Sequence, residues 1–140
     1  MKIAVIDGQG GGIGKSIIER IRRIQGADFE IIALGTNSLA TTGMIRAGAK
    51  TGATGENAIV VTSGKVDVIM GPISIIIANS IMGEITPAMA LAVADSQAVK
   101  LLIPLNRCNV EVAGTAQFNI NELLDFSVEE LMKLDKGMRE

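Results

Sequence analysis

The sequence predicts a three-layer α/β fold: a mostly parallel sheet of four to five strands, helices on both faces, and an antiparallel edge strand. Three observations lead there. Short runs rich in Ile, Val and Leu alternate along the chain with segments of helical pattern, the signature of βα repeats. The first run, residues 2–7, leads directly into a loop with five glycines, Gly8, Gly10, Gly11, Gly12 and Gly14, and then into a helix. The connection from Ile103 to Val110 is too short for a parallel crossover, so the last strand is expected to run antiparallel beside the fourth or to extend it after a kink.

Taken in order, the first strand is followed by an amphipathic helix with Ile13, Ile17, Ile21 and Ile24 on one face and Glu19, Arg20, Arg22 and Arg23 outside it,. Gly26 ends that helix. The second strand is residues 29–34, leading through residues 35–38 into a helix at 39–47. A further helix opens at 54–57 and stops at Gly64. The third strand, 66–70, precedes a turn at 71–74 and a helix at about 75–82. Thr86 and Pro87 form an N-cap and first-turn proline for a helix reaching about Gln97,. The fourth strand is 99–103, and after a turn at 104–109 the last strand is 110–113. Ser127 and Glu130 make a capping box for a C-terminal helix closed by Lys136 and Gly137,. The chain has no internal repeat or linker. At 140 residues it holds one core, so residues 1–140 are expected to form a single Rossmann-like domain.

Composition removes several functions. The chain has no His, Trp or Tyr, which excludes imidazole bases and tyrosyl acids and leaves Asp, Glu, Lys, Cys108 or a bound ligand to move protons. A lone cysteine forms no internal disulfide, and without His no structural zinc site is expected. A net charge of −2 and 2% aromatic residues argue against a nucleic-acid partner. Residues 66–83 carry a single charge, Asp67, but Gly71, Pro72, Ser74, Asn79 and Ser80 interrupt them, so a soluble core is expected rather than a membrane span. The early Asp7 and glycine loop do not fit a signal peptide, and a cytoplasmic protein is expected.

In an open parallel sheet the loops after the strands share one rim, where ligands bind. That rim gathers residues 8–16, Thr36, Asn37, residues 71–74 with Gly71 first, and Asn106, Arg107 and Cys108. Gly8, Gly10, Gly11, Gly12, Ile13 and Gly14 would form a backbone nest for a phosphate, Lys15 a positive charge and Ser16 a hydroxyl at the helix start. Thr36 and Asn37 suit a ribose or a 2′-phosphate, with Arg46 assisting, but helix capping is the simpler reading of each. Asp7 is placed to orient a ligand hydroxyl or metal, or to hold the glycine-loop amides. A cation next to a thiol favours the reactive thiolate, which would make Cys108 beside Arg107 a candidate nucleophile, but no base is identifiable beside it in sequence, and a plain thiol is the simpler reading.

The spacing Gly8-x-x-x-Gly12-Ile-Gly14 resembles the glycine pattern of short-chain dehydrogenases, which implies a nucleotide or dinucleotide of NAD(P) type as cofactor. Two elements of that family's pattern are missing: a catalytic Tyr, and an acidic residue ending the second strand, where Leu34, Gly35, Thr36 and Asn37 stand instead,. Residues 10–16 also resemble the deviant Walker A loop of partition and nitrogenase-reductase ATPases, with Lys15 and Ser16 in the phosphate and magnesium roles. Gln9 and Gly10 depart from that pattern, and no Asp ends the third strand, which argues against hydrolysis. Residues 5–15, 83–89 and 103–108 together resemble a family of small bacterial proteins of unknown function, which implies a compact α/β protein but no activity.

The reading is therefore a binder of a nucleotide or dinucleotide phosphate at residues 8–16. One alternative is a small enzyme acting on a phosphorylated metabolite, with Arg107 clamping substrate and Asp7 or Glu84 carrying protons. Another is an assembly or regulatory subunit without ligand chemistry. Residues 87–94 are apolar all round, so a homo-oligomer, most simply a dimer, is expected to cover them.

Overall fold

A computed structural model describes residues 1–105 and 109–139. The five strands are β1 (Lys2–Asp7), β2 (Glu30–Gly35), β3 (Thr51–Thr54), β4 (Val68–Pro72) and β5 (Val99–Ile103). The helices are α1 (Gly12–Arg22), α2 (Ser38–Ala47), α3 (Glu56–Ser63), α4 (Pro87–Asp95) and α5 (Ile120–Arg139), with a 3-10 turn at Ile73–Ile76. The sheet order is β3-β2-β1-β4-β5. Every pairing is parallel, with Ile3 opposite Ile31 on one side of β1 and opposite Val68 on the other.

This order follows from handedness. Crossovers β1-α1-β2 and β2-α2-β3 step one way from β1, whereas the chain returns past β1 to lay down β4 and β5 on its other side. Because such crossovers are right-handed, reversing the direction puts the later helices on the opposite face. Side chains divide accordingly with the period of a strand. Ile3, Val5, Ile31, Val68 and Met70 pack under Ile17, Ile18 and Ile21 of α1, Met44 of α2, and Leu124 and Leu131 of α5. Ala4, Ile6, Leu34 and Ile69 face Ile59 of α3 and Met89, Ala90 and Val93 of α4. The result is the Rossmann-like three-layer arrangement. Each large side chain fully buried in these layers stabilises the fold by roughly 1.5–3 kcal/mol relative to exposure.

Three expectations are corrected. The antiparallel edge strand is not seen: 110–113 are not a strand, and β5 forms the sheet's edge in parallel with β4. The far edge is instead β3, four uncharged and exposed residues. The helix expected over 75–82 is a short 3-10 turn followed by a looped segment in which Asn79, Ile81 and Met82 all have positive φ. The C-terminal helix begins at Ile120, where Asn119 and Glu122 exchange capping hydrogen bonds, whereas Ser127 lies mid-helix and donates to the Leu124 carbonyl.

Among the described residues no helix is long and apolar enough to cross a membrane.

Candidate functional site

The glycine loop stands where the direction of the sheet reverses, between β1 and β4. At the C-terminal ends of these strands lies a cleft of about 200 Å³, lined by Asp7, Gly8, Gln9 and Ile13 on one side and Pro72, Ile73, Ser74, Ile81, Met82 and Leu105 on the other. Reversal points of open α/β sheets part the loops on either side and so create such clefts.

Asp7 builds the loop from beneath. It is buried, and its two oxygens accept the amides of Gly8 and Gly14, each at 2.8 Å. Of the two roles open to it in the sequence, the structure displays that of holding the turn. Burial pushes its carboxyl above the ordinary range, with the charge of Glu84 adding, while the amides of Gly14, Gly8 and Ile13 pull the other way,. Gly11 donates to the Gly8 carbonyl and adopts a φ of 71° at the N-cap of α1, with a prospective Cβ 3.0 Å from the Ala40 carbonyl oxygen. Only glycine meets both conditions without strain. The amides of Gly10 and Gly12 make no hydrogen bond to the described residues; Gly12 opens α1, where the helix dipole is positive,.

The second carboxylate comes from far along the chain. Glu84 Oε1 accepts the Gln9 amide at 2.9 Å, the Thr36 hydroxyl at 2.5 Å and the Asn37 side-chain amide at 2.9 Å. Burial opposes its charge, but the donors from Thr36, Gln9 and Asn37 outweigh that cost and hold the carboxyl below its ordinary range,. Gly8 is needed here for space, since a Cβ would lie 2.9 Å from Glu84 Oε1 and 2.8 Å from Thr36 Oγ1. Glu84 is carried by residues 77–86, a loop closed on itself by Asn79 donating to the Ile85 carbonyl, Ile85 to that of Ser80, and Glu84 to that of Ile81. A β-branched Ile81 at φ 53° costs roughly 1–2 kcal/mol,.

The expected residues divide as follows. Gly8, Gly10, Gly11, Gly12, Ile13 and Gly14 form one turn, of which Gly8 and Ile13 line the cleft. Thr36 and Asn37 adjoin that turn through Glu84 and through the Asn37 side-chain bond to the Gln9 carbonyl; Asn37 also caps α2 by accepting the Ala40 amide. Gly71 is buried within β4, against the Ile6 carbonyl. Lys15 lies with Arg46 and Gly10 along a separate groove of about 260 Å³ between α1 and α2. Ser16 is half-buried, its carbonyl taking the Arg20 guanidinium. Asn106, Arg107 and Cys108 lie outside the described residues. Ile81, Met82 and Leu105 are cleft residues that lie outside the rim gathered from the sequence. Among the described residues no group of three His, Cys, Asp or Glu side chains is arranged to hold a metal ion.

No curated protein matches the chain. One family pattern does, over residues 2–136, nearly its full length. The chain belongs to the family described as domain of unknown function DUF3842.

Proposed function

We propose that this protein binds the phosphate of a nucleotide or dinucleotide on the loop of residues 8–16. The observation that supports it is the pair of amides, Gly10 and Gly12, left without acceptors among the described residues, in the turn whose Gly8, Gln9 and Ile13 line the cleft at the sheet's reversal point. Backbone N–H groups at a helix N-terminus favour anions. Asp7 and Glu84 already satisfy the amides of Gly8, Gln9 and Gly14, so the ligand phosphate falls to the two that are open. The test is dye-based thermal unfolding against nucleotides, NAD(P)-type dinucleotides and sugar phosphates. A ligand at about a hundred times its Kd adds roughly 2.7 kcal/mol, a shift of several degrees. Gly12→Asp puts a carboxylate among the open amides and abolishes that shift while the protein stays folded. A flat panel with folded protein removes the proposal.

A homodimer is a second reading, favoured by surface composition. α4 buries Met89, Ala90 and Val93 against the sheet layer but leaves Leu91 68% exposed, and α3 beside it exposes Val60 and Val61. Leu91→Glu is expected to turn a dimer into a monomer in light scattering; a monomeric wild type ends this reading.

A further inference from the structure

We propose that Glu84 is the ribose-recognising carboxylate of the site, making the protein selective for nucleotides whose ribose carries a free 2′-hydroxyl. This rests on the nucleotide reading above. In dinucleotide-binding sheets an acidic residue at the tip of β2 accepts the ribose hydroxyls, next to the first glycine of the loop. Here β2 ends in Gly35 with Thr36 and Asn37 following, so the strand supplies no acid at that tip, its Glu30 standing at the other end. The carboxylate nevertheless stands at that tip, delivered by the loop between β4 and α4 across 48 residues of sequence from Thr36.

The details favour recognition over a purely structural tie. All three hydrogen bonds to Glu84 fall on Oε1. Oε2 makes none with the described residues and keeps its acceptor capacity for a hydroxyl donor. The side chain is only half-buried, so that oxygen is reached without opening the core. Glu84 Oε1 also lies 2.9 Å from the point where a Gly8 Cβ would stand, which brings the carboxylate over the glycine that opens the loop. The donors that fix Oε1 keep the group ionised at neutral pH. A ribose 2′-hydroxyl donates to such an oxygen; a 2′-phosphate meets it charge against charge.

The experiment is calorimetric titration of the full chain with NAD and with NADP. Wild type is expected to bind NAD at least about tenfold more tightly, as sites built around a hydroxyl reject analogues that cannot donate one. Glu84→Gln removes the charge and is expected to bring the two dinucleotides within about threefold of each other. Thr36→Val, which frees the carboxylate without deleting it, weakens the preference, and Thr36→Ser retains it; circular dichroism confirms that each variant is folded. Equal binding of NAD and NADP by wild type, or a preference unchanged in Glu84→Gln and Thr36→Val, overturns the assignment while leaving the loop as a nucleotide site. Binding of neither dinucleotide by wild type, with no shift from any nucleotide, overturns the site and this assignment together.

Discussion

The Thr36 hydroxyl donates to Glu84 Oε1 at 2.5 Å, joining the tip of β2 to the loop after β4 and bringing both over Gly8. Through this contact the rim becomes one hydrogen-bonded unit instead of separate loops, because the same oxygen takes the Gln9 amide and the Asn37 side chain.

The pH dependence of stability follows from that unit. The folded Glu84 carboxyl titrates below its unfolded value, so its stabilisation is present above the ordinary carboxylate range and is lost as pH falls through the lowered folded value. Asp7 has the opposite sign: its value is raised, so the cost of its buried charge is absent in acid and grows as pH rises through the raised value. In urea titrations, the stability advantage of wild type over Glu84→Gln is expected to shrink toward acid, and that of wild type over Asp7→Asn to shrink as pH rises. A pH-independent difference for either pair contradicts the assigned roles.

Asp7→Asn replaces two acceptors by one acceptor and one donor, leaving the amide of Gly8 or Gly14 facing an NH₂ group. An unpaired buried donor costs about 1–3 kcal/mol. Some of this is offset by removal of the buried charge, so the expected loss near neutral pH lies at the low end, read as a lower midpoint in thermal circular dichroism.

Within the glycine loop, space and backbone angle separate the positions. Gly10 has open space around its α-carbon and no positive φ, so Gly10→Ala is expected to change stability by less than about 0.5 kcal/mol,. Gly8→Ala must displace Glu84 or Thr36, and Gly11→Ala combines φ 71° with contact to the Ala40 backbone; each is expected to lose about 1–3 kcal/mol,. Urea unfolding of the three variants checks the order.

Among the described residues Ser63 Oγ is buried without a hydrogen-bond partner at the end of α3, although the Ser63 carbonyl accepts the Ser96 hydroxyl. Ser63→Ala deletes the unpaired oxygen and keeps that backbone bond, so it is expected to raise stability by about 1 kcal/mol. A lower urea midpoint would show that Oγ has a role the packing does not reveal.

Much of this arrangement was legible in the sequence. The glycine loop and the first four elements follow from patterns local to a few residues, and the Thr86 cap with Pro87 marks the start of α4 where it is observed. β3 was missed because Thr51, Gly52, Ala53 and Thr54 bury nothing: an exposed edge strand carries no apolar signal,. Val110 and Val112 flanking Glu111 mimic strand alternation, yet residues 110–113 form no strand. Two capping patterns compete in the C-terminal helix, and the one at Asn119 and Glu122 prevails over that at Ser127 and Glu130. Glu84 was legible as a loop carboxylate and candidate proton carrier, but not as a neighbour of β2. Its position at the β2 tip depends on contacts 47 to 75 residues apart and on left-handed Ile81 and Met82, for which the local sequence gives no cue.

The most direct test of the account is a two-dimensional amide NMR titration of the ¹⁵N-labelled chain with ADP-ribose. The account predicts saturable shifts for the Gly10 and Gly12 amides, accompanied by Ile13 and Ser74, which line the cleft, and loss of these shifts in Gly12→Asp. Shifts confined to other surfaces, or none in the loop at saturating ligand, would contradict the central claim and leave the five glycines as a turn held by Asp7.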